Sequence, residues 1–170
     1  IYLFKNINVH EDIVENLRTT KQEEHAIKSI RKAKRILLQT VPKENIVAIY
    51  IKGSFVRREM NKKSDIDIVP ITKNNTILQK IIQLEKKQGH LYKPSELHPH
   101  SLWEFQHNKK FTQNKQPTAR PDSFLHNLTY HKLIYGKPLT LKKFSIRTEQ
   151  ETLQSHLKAF TTIFLPLHKK

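Results

Sequence analysis

Two acidic residues near the middle of the chain have the type and spacing that could support catalysis. Asp65 and Asp67 begin an apolar run. In a β-strand their side chains would point to one face while Ile66 points to the other. Two carboxylates held this close repel each other unless a cation lies between them, and hard oxygen ligands favour magnesium or manganese. The spacing predicts a divalent metal site, although a solvated strand end carrying two acids would show the same pattern.

A phosphate-binding turn is predicted just upstream of these acids. Residues 45–51 form an apolar run typical of a buried strand, and Gly53 permits a sharp exit and the close approach of a phosphate. Ser54 supplies a hydroxyl, and the free amides at the start of a following helix would point to the same place. The two features together predict a triphosphate site beside a metal site.

The order of these residues resembles a known catalytic signature. Gly53 and Ser54 are followed, after nine residues, by Ser64, Asp65 and Asp67. This order resembles the G-S-x(9)-S-D-x-D motif of the polymerase-beta-like nucleotidyltransferase superfamily, particularly its minimal members. The resemblance implies an α+β nucleotidyltransferase fold with a short mixed sheet flanked by helices. It also implies transfer of a nucleoside monophosphate from ATP or CTP, with Mg²⁺ or Mn²⁺ as cofactor and pyrophosphate as product.

The resemblance also implies a third carboxylate from a later strand. Residues 91–100 are predicted as that strand, and Glu96 is its only acid; Glu104 is the alternative. On this interpretation Asp65, Asp67 and Glu96 are the catalytic residues and the metal ligands. The third carboxylate can also accept the proton of the attacking hydroxyl.

The predicted nucleotide-binding residues are the Gly-Ser turn, the serine of the second half of the motif, and cations between the two halves. They are Gly53, Ser54, Arg57, Arg58, Lys63 and Ser64. Lys and Arg in such a segment can neutralise phosphate charge, although they can equally be solvated surface residues. His98 shares the predicted strand face of Glu96, where it is either a phosphate contact or an ordinary histidine.

The charge balance favours a polyanionic acceptor. The 170-residue chain has a net charge of +16, and residues 97–148 contain only two acids, Glu104 and Asp122. A basic segment attracts nucleic acid, although general basicity of the proteome would give a similar total. The predicted acceptor is therefore RNA, for example a tRNA 3′ end. The predicted acceptor contacts are Lys109, Lys110, Lys115 and Arg120, the last two in a polar loop over residues 112–121.

Two other functions remain open from the residues alone. The nucleotide could pass to a protein side chain, as in antitoxin-type minimal nucleotidyltransferases, or to a small molecule. A non-catalytic protein that binds RNA or pairs with a toxin is the third interpretation. The absence of cysteine excludes thiolate metal sites and disulfides, and no apolar run approaches the roughly 20 residues of a membrane span. We therefore expect a cytoplasmic protein without a membrane partner.

The predicted organisation has three parts. Residues 1–42 are an N-terminal helical region with one long helix or two, residues 43–140 are the nucleotidyltransferase domain, and residues 141–170 are a C-terminal helical extension. The extension is interpreted as part of a helical module whose remainder lies outside this sequence, so a helical partner or a toxin protein is a candidate partner. Helices are predicted over residues 10–39, 55–60, 74–88, 122–136 and 148–164, and strands over 46–51, 66–71 and 91–100.

Overall fold

The computed structural model describes residues 20–111 and 121–163. Its helices are α1 (Lys21–Thr40), α2 (Ser54–Arg57), α3 (Asn75–Gln88), α4 (Leu102–His107), α5 (Asp122–His126) and α6 (Glu149–Ile163). Its strands are β1 (Ile46–Lys52), β2 (Ile66–Thr72), β3 (Ser95–Leu97), β4 (His100–Ser101) and β5 (Lys132–Gly136). None of the helices within these ranges is long and apolar enough to cross a lipid bilayer.

The strands form one mixed sheet. The strand order is β3-β2-β1-β5. β4 also pairs with β2, at residues that follow those paired with β3. β1 is antiparallel to both β2 and β5, whereas β2 is parallel to β3 and β4. Isoleucines of β1 and β2 are fully buried and pack with α1 and α3. The predicted fold class, a short mixed sheet flanked by helices, is confirmed.

α1 is an amphipathic helix with a well-formed start. Thr20 caps it by accepting the Glu23 amide, while the Glu23 carboxylate accepts the Thr20 amide. Its buried residues recur at helical spacing and include Ala26, Ile30, Ala33 and Leu37. The predicted helix over residues 10–39 is confirmed from residue 21 onward, and residues 1–19 lie outside the described residues.

The predicted third strand is shorter than expected. Residues 91–100 contain the end of a 3₁₀ turn at Gly89–Tyr92, then β3 and the start of β4. Pro94 directly precedes β3, and Pro99 lies between β3 and β4. Proline has no amide hydrogen to donate to a strand ladder, so one continuous strand could not run through both positions.

The prediction of a single helix over residues 122–136 is wrong. The segment contains α5, a 3₁₀ turn at Leu128–Tyr130, and strand β5. Gly136 has φ of 80°, and a Cβ there would lie 2.2 Å from the Val47 carbonyl oxygen. Glycine is thus required by the close approach of β5 to β1 rather than as a helix stop. Pro121 is the N-cap of α5, and Asp122 is the first residue of the helix.

The chain forms two compact units. The first comprises Ile1–Trp103 and Thr129–Leu139, and contains the five strands found in the described part of the chain. The second comprises Glu104–Leu128 and Thr140–Lys170. In the second unit the Phe105 ring stacks on Phe124 at 5.9 Å and meets the edge of Phe144 at 5.6 Å.

α6 belongs to the second unit and begins as predicted. The Glu151 amide donates to Thr148 Oγ1 at 3.2 Å, and the Thr148 amide donates to Glu151 Oε2 at 2.7 Å. This capping box fixes the start of the helix at Glu149. The predicted helix over residues 148–164 is therefore confirmed across the described part of that range.

Candidate active site

The sheet register places two of the predicted carboxylates side by side. Asp67 on β2 is the parallel register partner of Glu96 on β3. Ile66 and Ile68 are fully buried, so the Asp67 side chain lies on the other face of β2, where 28% of it is exposed. Asp65 is exposed and directly precedes β2. The sheet therefore brings Asp67 and Glu96 together and leaves Asp65 at the strand entrance.

Cationic groups lie against both carboxylates. His98 Nε2 is 3.0 Å from Asp67 Oδ1 and 3.6 Å from Glu96 Oε2. Lys52 Nζ is 3.7 Å from Asp67 Oδ2, and the Lys93 ammonium contacts Glu96 Oε1. The hydrogen bond from His98 holds the pKa of Asp67 below its usual value, with a smaller contribution from Lys52. The same hydrogen bond raises the pKa of His98 against the opposing effect of burial.

These contacts bear on whether the residues fit a divalent metal ion. Within residues 20–111 and 121–163, no three His, Cys, Asp or Glu side chains are grouped as a ready metal site. Asp67 and Glu96 nevertheless both contact one nitrogen, His98 Nε2, at 3.0 and 3.6 Å. Carboxylate oxygens are the ligands that Mg²⁺ prefers. The chemistry of the pair suits such an ion, and the assignment of Asp65, Asp67 and Glu96 as its ligands stays a prediction.

Two helices fix the strand that carries Glu96. Ser29 Oγ on α1 accepts the Ser95 amide at 3.1 Å, and its hydroxyl contacts the Tyr92 carbonyl. Glu85 Oε2 on α3 accepts both the Leu97 amide and the Tyr92 hydroxyl at 2.8 Å. Sequence reasoning missed these residues because they lie within ordinary helical patterns and contact β3 only after the chain folds.

The Gly-Ser turn lies next to Asp67. Gly53 has φ of 90° and ψ of −157°, which L-residues rarely adopt, and a Cβ at Gly53 would lie 3.7 Å from Asp67 Oδ2. Glycine is thus needed here for its backbone conformation rather than for space. Ser54 follows as the first residue of α2, which spans four residues rather than the predicted 55–60. The two halves of the sequence motif are neighbours in the fold.

The predicted phosphate-binding cations have different surroundings. Arg58 has φ of 59°, and its guanidinium donates to both Glu23 carboxylate oxygens, at 2.8 and 3.0 Å. This hydrogen bonding lowers the pKa of Glu23 to about 2. Arg57 donates to Glu59 at 2.7 Å on the surface, and Lys63 is exposed. Arg58 therefore ties the loop after α2 to α1, and phosphate binding by Arg57 and Lys63 stays a prediction.

His131 is a further histidine of the same unit that the sequence did not reveal. It directly precedes β5 and is half-buried. Burial, and secondarily the charge of Lys52, lower its pKa to about 4, while Asp67 opposes that shift. Its segment was predicted as helix, so no pattern in the sequence could place it near β1 and β2.

The remaining predicted residues belong to the second unit or lie outside the described residues. Glu104, the alternative third carboxylate, is buried and its Oε1 accepts the Phe111 amide at 2.8 Å. Lys109 and Lys110 are exposed. Lys115 and Arg120, with most of the predicted loop over 112–121, lie outside the described residues. The register pairing with Asp67 thus favours Glu96 over Glu104.

Comparison with known proteins identifies one family. A family model described as "Polymerase beta, Nucleotidyltransferase" matches residues 32–116, which is half of the 170-residue chain. That range contains the Gly53-Ser54 turn, Asp65, Asp67 and Glu96. No curated protein matches the chain.

Several solved structures are similar at low identity. Spectinomycin adenyltransferase AAD(9) from Enterococcus faecialis, with ATP and spectinomycin, is 19% identical, with 89% of this chain and 70% of that chain covered and a TM-score of 0.46. A mutant of the toxin–antitoxin MntA–HpeT is 18% identical, with 83% of this chain and 98% of that chain covered and a TM-score of 0.39. A toxin–antitoxin with AMP-PNP is 19% identical, with 87% and 98% covered and a TM-score of 0.34.

Proposed function

The chain belongs to the polymerase beta nucleotidyltransferase family, and on this premise we propose that it transfers a nucleoside monophosphate from a nucleoside triphosphate to a hydroxyl acceptor. Asp65, Asp67 and Glu96 are the proposed catalytic residues. The observation that carries the proposal is the register pairing of Asp67 with Glu96 beside the Gly53-Ser54 turn.

The proposed reaction is a single displacement at phosphorus. The acceptor oxygen forms a bond to the α-phosphorus, the bond from that phosphorus to the bridging oxygen breaks, and pyrophosphate leaves. The hydroxyl proton passes to the Glu96 carboxylate. Two magnesium or manganese ions held by Asp65, Asp67 and Glu96 would supply positive charge for the attacking and leaving oxygens.

The residues around the turn are proposed to bind the triphosphate. Gly53 and Ser54 present backbone and hydroxyl groups directly beside Asp67. Lys63 and Ser64 lie in the loop that leads into Asp65, and Lys63 is exposed. An ammonium group there can neutralise part of the charge of ATP or CTP. Arg57 is proposed as a further contact once its surface pair with Glu59 opens. Arg58, held by Glu23, has a positioning role.

The favoured acceptor is RNA, because a chain of net charge +16 attracts a polyanion far more strongly than a neutral molecule. A protein hydroxyl is the second candidate. The observation that favours it is on α6, where Leu153 and Leu157, one helical turn apart, are more than half exposed. Such a face suits a partner protein, for example a toxin or a helical module. A small basic acceptor would instead call for an acidic pocket.

The test is transfer of label from α-labelled nucleoside triphosphates. All four nucleotides are incubated with Mg²⁺ and, separately, with RNA, with total protein and with small hydroxyl compounds. We expect label on RNA, and loss of that label in Asp67→Asn and Glu96→Gln. The matched control is Glu44→Gln, which removes an exposed carboxylate from a short 3₁₀ turn of the same unit.

Each outcome decides between the candidates. Label on protein alone would show that the acceptor is a protein hydroxyl, the second candidate, rather than RNA. Label on no acceptor, with all four nucleotides and with Mg²⁺ or Mn²⁺, would refute nucleotidyl transfer. Equal activity of Glu96→Gln and the control would remove Glu96 from the catalytic residues.

A further inference from the structure

The outer face of α1 carries a concentrated positive charge. We define the α1 basic stripe as Lys28, Arg31, Lys32 and Arg35, all of which are exposed. Positions three and four apart share one face of a helix, so the four charges form one line. The opposite face holds the buried core residues of α1. The stripe therefore contributes nothing to the packing of the helix on the sheet.

The stripe has no acidic partner among the described residues. The salt bridges within residues 20–111 and 121–163 include none of its four side chains. Like charges three or four residues apart destabilise an isolated helix. In the free protein these exposed charges are hydrated, and a polyanionic ligand would neutralise them.

The first turns of the same helix line a cleft. Its volume is about 460 Å³, within the range of small-ligand sites. Met60 and Pro94 give it an apolar part, and Lys21, His25 and Lys62 add basic groups. Lys21 is two helical turns before Lys28, so the stripe continues to the cleft on one face of α1. An apolar surface amid basic groups suits a nucleotide base with its phosphates.

Two of the segments that line the cleft are adjacent in sequence to proposed catalytic carboxylates. Ser64 lines it and directly precedes Asp65. Pro94 lines it two residues before Glu96. The cleft therefore lies at the start of β2 and β3, next to Asp65, whereas the Asp67 and Glu96 side chains lie on the sheet face opposite α1.

We propose that the α1 basic stripe and this cleft form one surface that binds a single-stranded RNA acceptor. The stripe contacts successive phosphates over the about 21 Å of helix between Lys21 and Arg35, and the terminal nucleotide enters the cleft. This inference rests on the proposed nucleotidyl transfer and names its acceptor and the site that holds it. An acidic protein would satisfy the stripe but would leave a nucleotide-sized cleft at its end unexplained.

The first test measures RNA binding without nucleotide or metal. The probe is a 5′-fluorescein-labelled 12-nucleotide RNA of mixed sequence, followed by anisotropy over a range of salt concentrations. The variant is Lys28→Gln, Arg31→Gln, Lys32→Gln. The matched control is Lys80→Gln, Lys86→Gln, Lys87→Gln, which removes the same charge from exposed positions of α3.

We expect the stripe variant to bind about tenfold more weakly or worse at low salt. The slope of log affinity against log salt should fall in magnitude by about 2, the value for three lost phosphate contacts on a single strand. The control should change affinity by less than about twofold. Equal weakening in both variants would overturn the stripe, because net charge alone would then explain binding. Equal competition by polyglutamate of matched charge would overturn RNA in favour of an acidic protein.

The second test asks which nucleotide enters the cleft. The base 2-aminopurine is placed either at the 3′ end or internally, and its emission is followed on binding. We expect a change at the 3′ end that Met60→Ala and Lys62→Gln reduce, and a smaller change internally. A change confined to the internal position would overturn the cleft assignment.

These binding measurements separate the inference from the proposed function. RNA binding that depends on the stripe, without any label transfer to RNA, would refute the proposed transfer to RNA and leave the binding surface in place. Label transfer to RNA that is unchanged in the stripe variant would refute the surface and leave the function in place.

Discussion

Two aspartates of this protein, Asp67 and Asp122, differ in their burial and in the geometry of their ion pairs. Asp122, in the second unit, has a side chain that is 1% exposed, and the Arg147 guanidinium donates to both of its oxygens at 2.6 and 2.7 Å. Asp67, in the first unit, is 28% exposed and has one contact with His98 at 3.0 Å and one with Lys52 at 3.7 Å. One carboxylate has a fixed bidentate partner, whereas the other has two partners that are themselves partly exposed.

The difference separates a structural acid from a candidate catalytic one. Burial raises the pKa of Asp122, but its hydrogen bonds from Arg147 outweigh that effect and the net pKa is low. Removing its partner would leave a buried charge. Asp67 can exchange its cations for others at little cost, because water reaches the group. A carboxylate that binds a metal and a substrate must, like Asp67, be partly exposed and have partners that can be replaced.

The largest expected effect is on catalysis. Asp67→Asn should lower nucleotidyl transfer by about a thousandfold or more, equivalent to about 4 kcal/mol of transition-state stabilisation. The free energy of unfolding should change by less than about 1 kcal/mol, since the group is partly exposed. Label transfer and urea unfolding on the same preparation check both parts. A variant that lost both stability and activity would show that Asp67, like Asp122, is a structural acid.

The next effect is on stability. Asp122→Asn should lower the free energy of unfolding by about 3–5 kcal/mol, because the buried Arg147 charge loses its partner. Urea unfolding followed by circular dichroism measures this change. The double variant Asp122→Leu, Arg147→Met should lose less than the single variant, since both charges are removed. A single-variant loss below about 1 kcal/mol would show that the pair does not hold the second unit together.

Loss of the ion pair between Glu23 and Arg58 should lower the free energy of unfolding by an amount between those expected for Asp67→Asn and Asp122→Asn. Glu23→Gln should cost about 1–3 kcal/mol at neutral pH, as expected for a hydrogen bond to a charged group. The folded-state pKa of Glu23 is about 2, against an ordinary value of 4.5. Its stabilisation is therefore complete above pH 4.5 and is lost as the pH falls from 4.5 towards 2.

The pH dependence gives the measurement for this pair. The difference in unfolding free energy between wild type and Glu23→Gln should be smaller at pH 3 than at pH 7. The exposed control Glu44→Gln should show almost no difference at either pH. A difference that stayed constant across this range would mean that the Glu23 charge does not stabilise the fold.

The smallest effect is expected at the edge of the candidate site. Lys52→Gln removes a contact of 3.7 Å between two partly exposed groups, so the free energy of unfolding should change by less than about 1 kcal/mol. Thermal and urea unfolding measure it. A loss above about 2 kcal/mol would show that the Asp67 edge is a structural ion pair like that of Asp122.

Local patterns in the sequence predicted much of the first unit. The apolar runs before Gly53 and after Asp65 correspond to β1 and β2, and the helix predicted over residues 74–88 corresponds to α3, which Asn74 caps. These features depend on short-range periodicity, capping and glycine conformation, which act within a few residues. The segment before Gly136 was predicted as a helix because its apolar spacing fits 3.6 residues. Pairing with β1 made it a strand instead, since burial against a neighbour outweighs local propensity.

The sequence alone determined the Gly53, Ser54, Asp65 and Asp67 motif and therefore the family. It did so because those residues are close along the chain and their chemistry is restricted to a few residue types. Only the tertiary structure decided that Glu96 stands beside Asp67, that His98 lies between them, and that Arg58 is held by Glu23. The contacts of Asp67 with Glu96 and His98, and of Glu23 with Arg58, join residues 29 to 35 positions apart. Their geometry depends on strand register and helix packing, which no local pattern encodes.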